Sequence, residues 1–159
     1  MKIVTKFFLS LCLVAGLGAT LRANAQIRSD ATIKANIPYS FVVHNTTLPA
    51  GTYTIKLADP DGNDQTLLVI RSANDKTAVL FETATIQVPN LAPRTELVFD
   101  KVGDTYFLSK VFLEGDEGGN EVLKSKRQRS LEENGSIAES HSLPGSVARF
   151  SKNVVRKLK

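Results

Sequence analysis

The sequence predicts an all-β protein, an antiparallel sandwich or a partly open barrel with a short helical C-terminal extension. Three observations carry that expectation. From Ala31 to Val43 apolar residues fall on nearly every second position, the period of a half-buried strand. Beyond Pro49-Ala50-Gly51 the alternation resumes as Tyr53, Ile55 and Leu57 against Thr52, Thr54 and Lys56. Further short apolar runs then recur with turn-forming residues between them, which favours antiparallel layers over a parallel architecture.

In the first stretch Ala31, Ile33, Ala35, Ile37, Tyr39, Phe41 and Val43 face one way, and Thr32, Lys34, Asn36, Ser40 and His44 the other. Val42 alone breaks the pattern. Pro38 cannot donate to a ladder, so it marks an edge, a bulge or a break between two strands. Pro49 fixes its own φ and Gly51 is free to take φ > 0, so the chain reverses before Tyr53. Ala58-Asp59-Pro60-Asp61-Gly62-Asn63-Asp64 is dense in turn formers and precedes the apolar run Leu67 to Ile70, a hairpin signal. Ser72 to Lys76 is a second turn. A longer strand-like run over 77–88 is broken by Pro89 and Pro93. Thr95 to Asp100 pairs naturally with Thr105 to Leu113 through Gly103. The latter run has apolar residues on both parities, which predicts cover on both faces by a second layer or a helix.

Several of these segments carry a resemblance. Leu48-Pro49-Ala50-Gly51-Thr52-Tyr53-Thr54-Ile55 resembles the turn and strand of transthyretin-like and other small β-sandwich modules of exported proteins. Together with Ile37-Pro38-Tyr39-Ser40-Phe41, Gly103-Asp104-x-Tyr106-Phe107-Leu108 and Lys124-Ser125-Lys126, it is similar to an uncharacterised family of small exported proteins of soil bacteria, over Ala31 to Glu133. The resemblance implies a fold and no active site.

The N-terminus has the parts of an export signal: Lys2 and Lys6, an apolar run from Phe7 to Ala19, and Ala23-Asn24-Ala25 as the cleavage site. The run is shorter than the roughly 18–20 residues that span a bilayer, and Leu11 before Cys12 is bulky for a lipoprotein signal. The expected organisation is therefore a signal peptide over 1–25, a β-sandwich domain over 26–124 and a basic, partly helical or disordered tail over 125–159. Cys12 is the single cysteine. Its loss with the leader excludes disulfides, a thiol nucleophile and a cysteine metal cage from the exported chain.

The overall charge of +4 and the pI of about 9.3 are not a nucleic-acid signature. Removing Lys2, Lys6 and Arg22 leaves +1. Residues 26–123 hold 8 basic and 13 acidic residues, a net −5, whereas 124–159 hold 9 and 3, a net +6. In the tail, Ser125 and Gln128 fit a capping box for a short helix from Lys126 to about Glu133, ended by Gly135. Its charges oppose the helix dipole. Ser136 to Gly145 reads as a linker. Beyond it Val147, Phe150, Val154 and Leu158 recur at helical spacing among basic residues, a surface for an envelope polyanion, a membrane surface or a protein, or else a frayed tail.

Reactive chemistry is sparse. His44 lies on the polar side of the first strand and His141 in the expected linker; Ser40 is the serine nearest His44, and no Gly-x-Ser-x-Gly elbow is present. A calcium loop aligned on Asp61 and Gly62 would put Leu57 and Leu68 where acidic ligands belong, so a turn is the better reading. The acidic, glycine-rich stretch Glu114 to Glu121 reads as a solvated loop, with a divalent cation as its alternative. The sequons at Asn45 and Asn134 are too short a pattern to carry weight beside a bacterial-type leader. No catalytic, cofactor-binding or metal residue is assigned. The functional expectation is an exported, periplasmic or extracellular, non-catalytic β-domain of the cell envelope or exterior; the alternative is a small hydrolase or lyase that cleaves polysaccharide with two carboxylates.

Overall fold

A computed structural model describes residues 31–61, 64 and 66–149; the expected signal peptide over 1–25 and the last ten residues of the expected tail, with Phe150, Val154 and Leu158, lie outside them. The described chain forms β1 (Ala31–Ile37), β2 (Phe41–Val43), β3 (Thr46–Leu48), β4 (Gly51–Leu57), β5 (Leu67–Ser72), β6 (Ala78–Gln87), β7 (Glu96–Val102), β8 (Thr105–Phe112), β9 (Gly118–Val122), α1 (Lys126–Glu133), β10 (Ala138–Pro144) and β11 (Ser146–Arg149). The strands make one open sheet in the order β10-β7-β8-β9-β6-β5-β4-β1-β11, with β2 and β3 as a side hairpin attached to β8. Every pairing is antiparallel except β2 with β8. The protein is all-β, as the alternation predicts.

The sheet doubles back on itself through β6. Its first half pairs with β5 (Leu67↔Glu82 to Arg71↔Ala78) and its second with β9 (Thr83↔Val122 to Gln87↔Gly118). One core lies between the resulting layers, drawing Ile33, Ile55 and Ile70 from one side and Leu97, Phe99 and Val111 from the other. Where β6 changes partner, three polar groups latch the corner. Thr83 donates its amide at 3.0 Å and its hydroxyl at 2.8 Å to the Thr66 carbonyl, and the buried Asn120 amide donates to the Thr83 hydroxyl at 2.9 Å. Thr83→Val deletes two of these bonds and strands the Asn120 amide. It is expected to cost about 1–3 kcal/mol, read as a lowered urea midpoint.

The first strands follow the predicted faces. Ala31, Ile33, Ala35 and Ile37 are buried, Pro38 ends β1, and Tyr53, Ile55 and Leu57 line the core from β4, which pairs with β1. The tyrosine also fixes the turn, its hydroxyl donating to the Pro49 carbonyl at 2.7 Å. A hairpin that the alternation did not reveal intervenes: His44, in the left-handed region at φ 54°, turns β2 into β3. Val42, the break in the pattern, faces away from the main core and packs with Val102, Phe107 and Leu131 of α1. That helix therefore covers the second face of β8, the predicted explanation of its apolar residues on both parities.

Two readings of the second half are corrected. Gly118, Gly119 and Asn120 are not part of a solvated acidic loop; they are buried in β9, leaving residues 114–117 as the turn. Likewise, 136–145 is not a linker. Its residues 138–144 form β10 along β7, and Val147 stands in β11 opposite Ile33 rather than on a helix. The sandwich thus extends to Arg149, past the expected boundary at 124. The reason is that backbone rungs hold this edge. Its side chains are mostly polar or exposed, with only His141, Leu143 and Val147 half-buried, so hydrophobic patterning barely registers it.

The helix itself has the expected bounds. Ser125 caps it, accepting the Gln128 amide at 3.1 Å. Gln128 does not reach back to close the box; its side chain is buried and donates to Asp100 at 3.4 Å and Glu132 at 3.3 Å. The adverse charge order is offset by Lys124 gripping the Glu132 carboxylate at 2.8 Å.

Candidate functional site

On β7, Phe99 faces the core, so Lys101, two residues on, faces the same way beyond it. Register places Tyr106 of β8 and Glu139 of β10 on either side of Lys101, and His141 beside Phe99. The inward face of β10-β7-β8 is therefore apolar along Leu97, Phe99 and Leu108 and turns polar at this end. Tyr39, on the connection between β1 and β2, closes the group from the other layer. Its ring stacks on Tyr106 at 3.8 Å and 14° and meets Phe99 edge-on at 5.5 Å. His141 meets the Tyr106 ring at 5.5 Å, its Nε2 lies 3.8 Å from the Glu139 carboxylate, and the Lys101 ammonium sits 5.9 Å from the Tyr106 ring centre. A cleft of about 200 Å³ continues outward, lined by Lys101, Gly103, Ser136, Ile137 and Glu139.

Two clefts elsewhere are lined largely by loop residues, one along Gln87 to Leu91 and one between Pro49 to Tyr53 and Ser72 to Asn74. They gather no comparable set of aromatic and charged side chains.

The Tyr39 hydroxyl is buried without a partner. Burial, and secondarily the Tyr106 phenol, push its pKa above the usual 10.0, and burial does the same to Tyr53. Both groups bind their proton more tightly in the folded than in the unfolded chain. Their contribution to stability is therefore intact below the unfolded pKa of about 10 and is lost as pH rises through the folded values. Urea midpoints are expected to hold steady up to about pH 9 and to fall as pH rises past about 10, less steeply in Tyr39→Phe. A wild-type midpoint still flat above that pH would contradict the expectation.

Of the residues singled out in the sequence, His141 enters this cluster and His44 does not. His44 is exposed at the tip of the β2–β3 turn, and it shares no hydrogen bond with Ser40 among the described residues. Asp64 is an exposed turn residue whose carboxylate accepts from the Thr66 amide at 2.9 Å and hydroxyl at 2.7 Å, which lowers its pKa. No cluster of three or more potential metal ligands occurs among the described residues. In the sequence Tyr39 and Tyr106 stand out only as structural motif residues, and Lys101 and Glu139 carry no motif that signals a site. The available signal was that Lys101 and Tyr106 continue the inward parity of Phe99 and Leu108 past the last fully apolar rung.

The fold and this cluster define the class: an all-β sandwich or partly open barrel with an aromatic and charged mouth at one end. Comparison with known proteins finds no matching family model, no matching curated protein and no matching solved structure.

Proposed function

We propose that the protein is an exported, non-catalytic binding or structural module of the bacterial cell envelope or exterior, with the mouth as its contact surface. The observation that supports this reading is the change on the inward face of β10-β7-β8. Core residues give way to Lys101, Tyr106, Glu139 and His141, side chains that cost stability in a sealed core and serve recognition at an open end. Tyr39 stacks on Tyr106 and is itself met edge-on by Phe99, so the contact surface is braced before a ligand arrives.

The test is retention of the purified chain on defined envelope materials: peptidoglycan, anionic polysaccharide and anionic vesicles. Lys101→Ser combined with Glu139→Ser is expected to abolish retention, while Lys56→Ser on the outer face of β4 leaves it intact. Equal retention of both variants would remove the mouth from the proposal. Release of reducing ends from a polysaccharide, lost in Glu139→Gln, would replace the module with the carboxylate-dependent hydrolase.

A further inference from the structure

The run 138–149 is a strap. Its first part pairs with β7 from Ala138↔Val102 to Pro144↔Glu96, and its second with β1 from Lys34↔Ser146 to Ala31↔Arg149. It spans the two ends of the sheet order and covers Ile33, Leu97 and Phe99, all fully buried, while contributing few buried side chains of its own. Backbone pairing, which is largely indifferent to side-chain identity, is what seats it. We infer that this strap exchanges between two copies of the chain, each copy seating its strap in the seam between β1 and β7 of the other.

Three features favour a second copy over an unrelated strand. The first is the bend. The strap turns at Gly145, whose amide donates to the Thr95 carbonyl at 2.9 Å, and an added Cβ would lie 3.0 Å from Ile33 Cγ2 and 3.1 Å from Thr95 Cγ2. A seam that tight at one position favours a strand with glycine there, and every copy of this chain supplies one.

The second is the hinge. The strap hangs from α1 by 134–137, in which Gly135 has φ +90° and the backbone bonds of the segment, Asn134 to Ser130, Gly135 to Glu132 and Ser136 to Leu131, all run back to the end of the helix. Re-aiming this connector leaves the body and the strap intact, the condition under which exchange is a low-cost route to a dimer.

The third is Ile137, a large apolar side chain 84 % exposed within that hinge. In an exchanged pair the two connectors run past one another, and each Ile137 gains an apolar neighbour it lacks in the single copy. The exchange also rebuilds the mouth from two chains, because Glu139 and His141 travel with the strap while Tyr39, Lys101 and Tyr106 stay with the body.

The inference does not depend on the mouth binding anything, and its test reads mass rather than binding. The full chain carrying Cys12→Ser has no thiol of its own. Lys101→Cys and Glu139→Cys are placed in two separate preparations, one isotopically heavy, mixed at high concentration, warmed and oxidised. Disulfide dimers joining position 101 of one copy to position 139 of the other are expected several-fold above the statistical yield of random thiol pairing. Adding Ile137→Asp to both preparations is expected to lower that excess several-fold. Both cysteines in one chain report that the pair is within reach, by an intramolecular disulfide. Mixed dimers at no more than the random yield overturn the inference. So does light scattering that finds only monomer up to the highest soluble concentration.

Discussion

Phe99→Ala is expected to lower the stability of the chain by about 3–5 kcal/mol, the cost of emptying a fully enclosed aromatic site. Phe99 has no exposed surface and stands where both layers meet. Its ring contacts Tyr39 and Phe41 edge-on, each at 5.5 Å, and Phe41 in turn meets Tyr53 at 5.2 Å. Deletion therefore removes area, two favourable ring geometries and the brace behind the mouth together. Domains are commonly stable by about 5–15 kcal/mol, so the urea midpoint should fall by a large fraction of its value. A loss below about 1 kcal/mol would show that the layers do not close on this ring. Phe99→Leu refills part of the volume and should recover part of the loss, which separates the packing term from the geometry of the ring contacts.

Gly119→Ala is expected to be the most damaging single-methyl addition in the sheet. The new Cβ would lie 2.6 Å and 2.7 Å from Phe112 Cδ1 and Cε1 and 2.8 Å from the Val111 carbonyl oxygen. Gly119 and Phe112 are cross-strand partners in the register of β8 and β9, with the phenyl ring lying over the bare glycine backbone. The ring can swing away; the carbonyl belongs to the ladder and cannot move without breaking it. Overpacking of this kind costs about 1–3 kcal/mol. Phe112→Leu in the same chain should recover the share due to the ring and leave the share due to the carbonyl. If the double variant is no more stable than Gly119→Ala alone, the backbone contact carries the whole effect.

The residues that made the fold legible are those whose burial depends on side chains. Ile33, Ile37, Tyr53 and Ile55 repeat with a period of two because a face of each strand is sealed against the opposite layer. Ser125 and Gln128 announced the helix because a cap is a local bond between near neighbours in sequence. The strap was illegible for the converse reason. Ala138-Glu139-Ser140-His141-Ser142 has the composition of a loop, and it is a strand only because Val98 to Val102 offers it a ladder from far along the chain.

The buried stretch Gly118-Gly119-Asn120 misled in the same way, since glycine and asparagine there serve a close ring contact and the corner latch rather than flexibility. The mouth was half legible. His141 drew notice for its type, but Lys101 and Glu139 meet only through register across strands far apart in the chain, and Tyr39 joins them only by stacking on Tyr106 from the β1–β2 connection.

Ala31 and Arg149 face each other on the outermost rung of β1 and β11. In an antiparallel pair this means that the polypeptide enters and leaves the body side by side. Cargo joined before the one and after the other would emerge from a common point, far less separated than two opposite poles would hold it. Joining these positions by a short peptide and cutting the chain in an exposed turn should give a circular permutant that keeps the fold. Tension applied between them would open the β1–β11 pair like a zip, one rung after another, rather than shear the whole sheet.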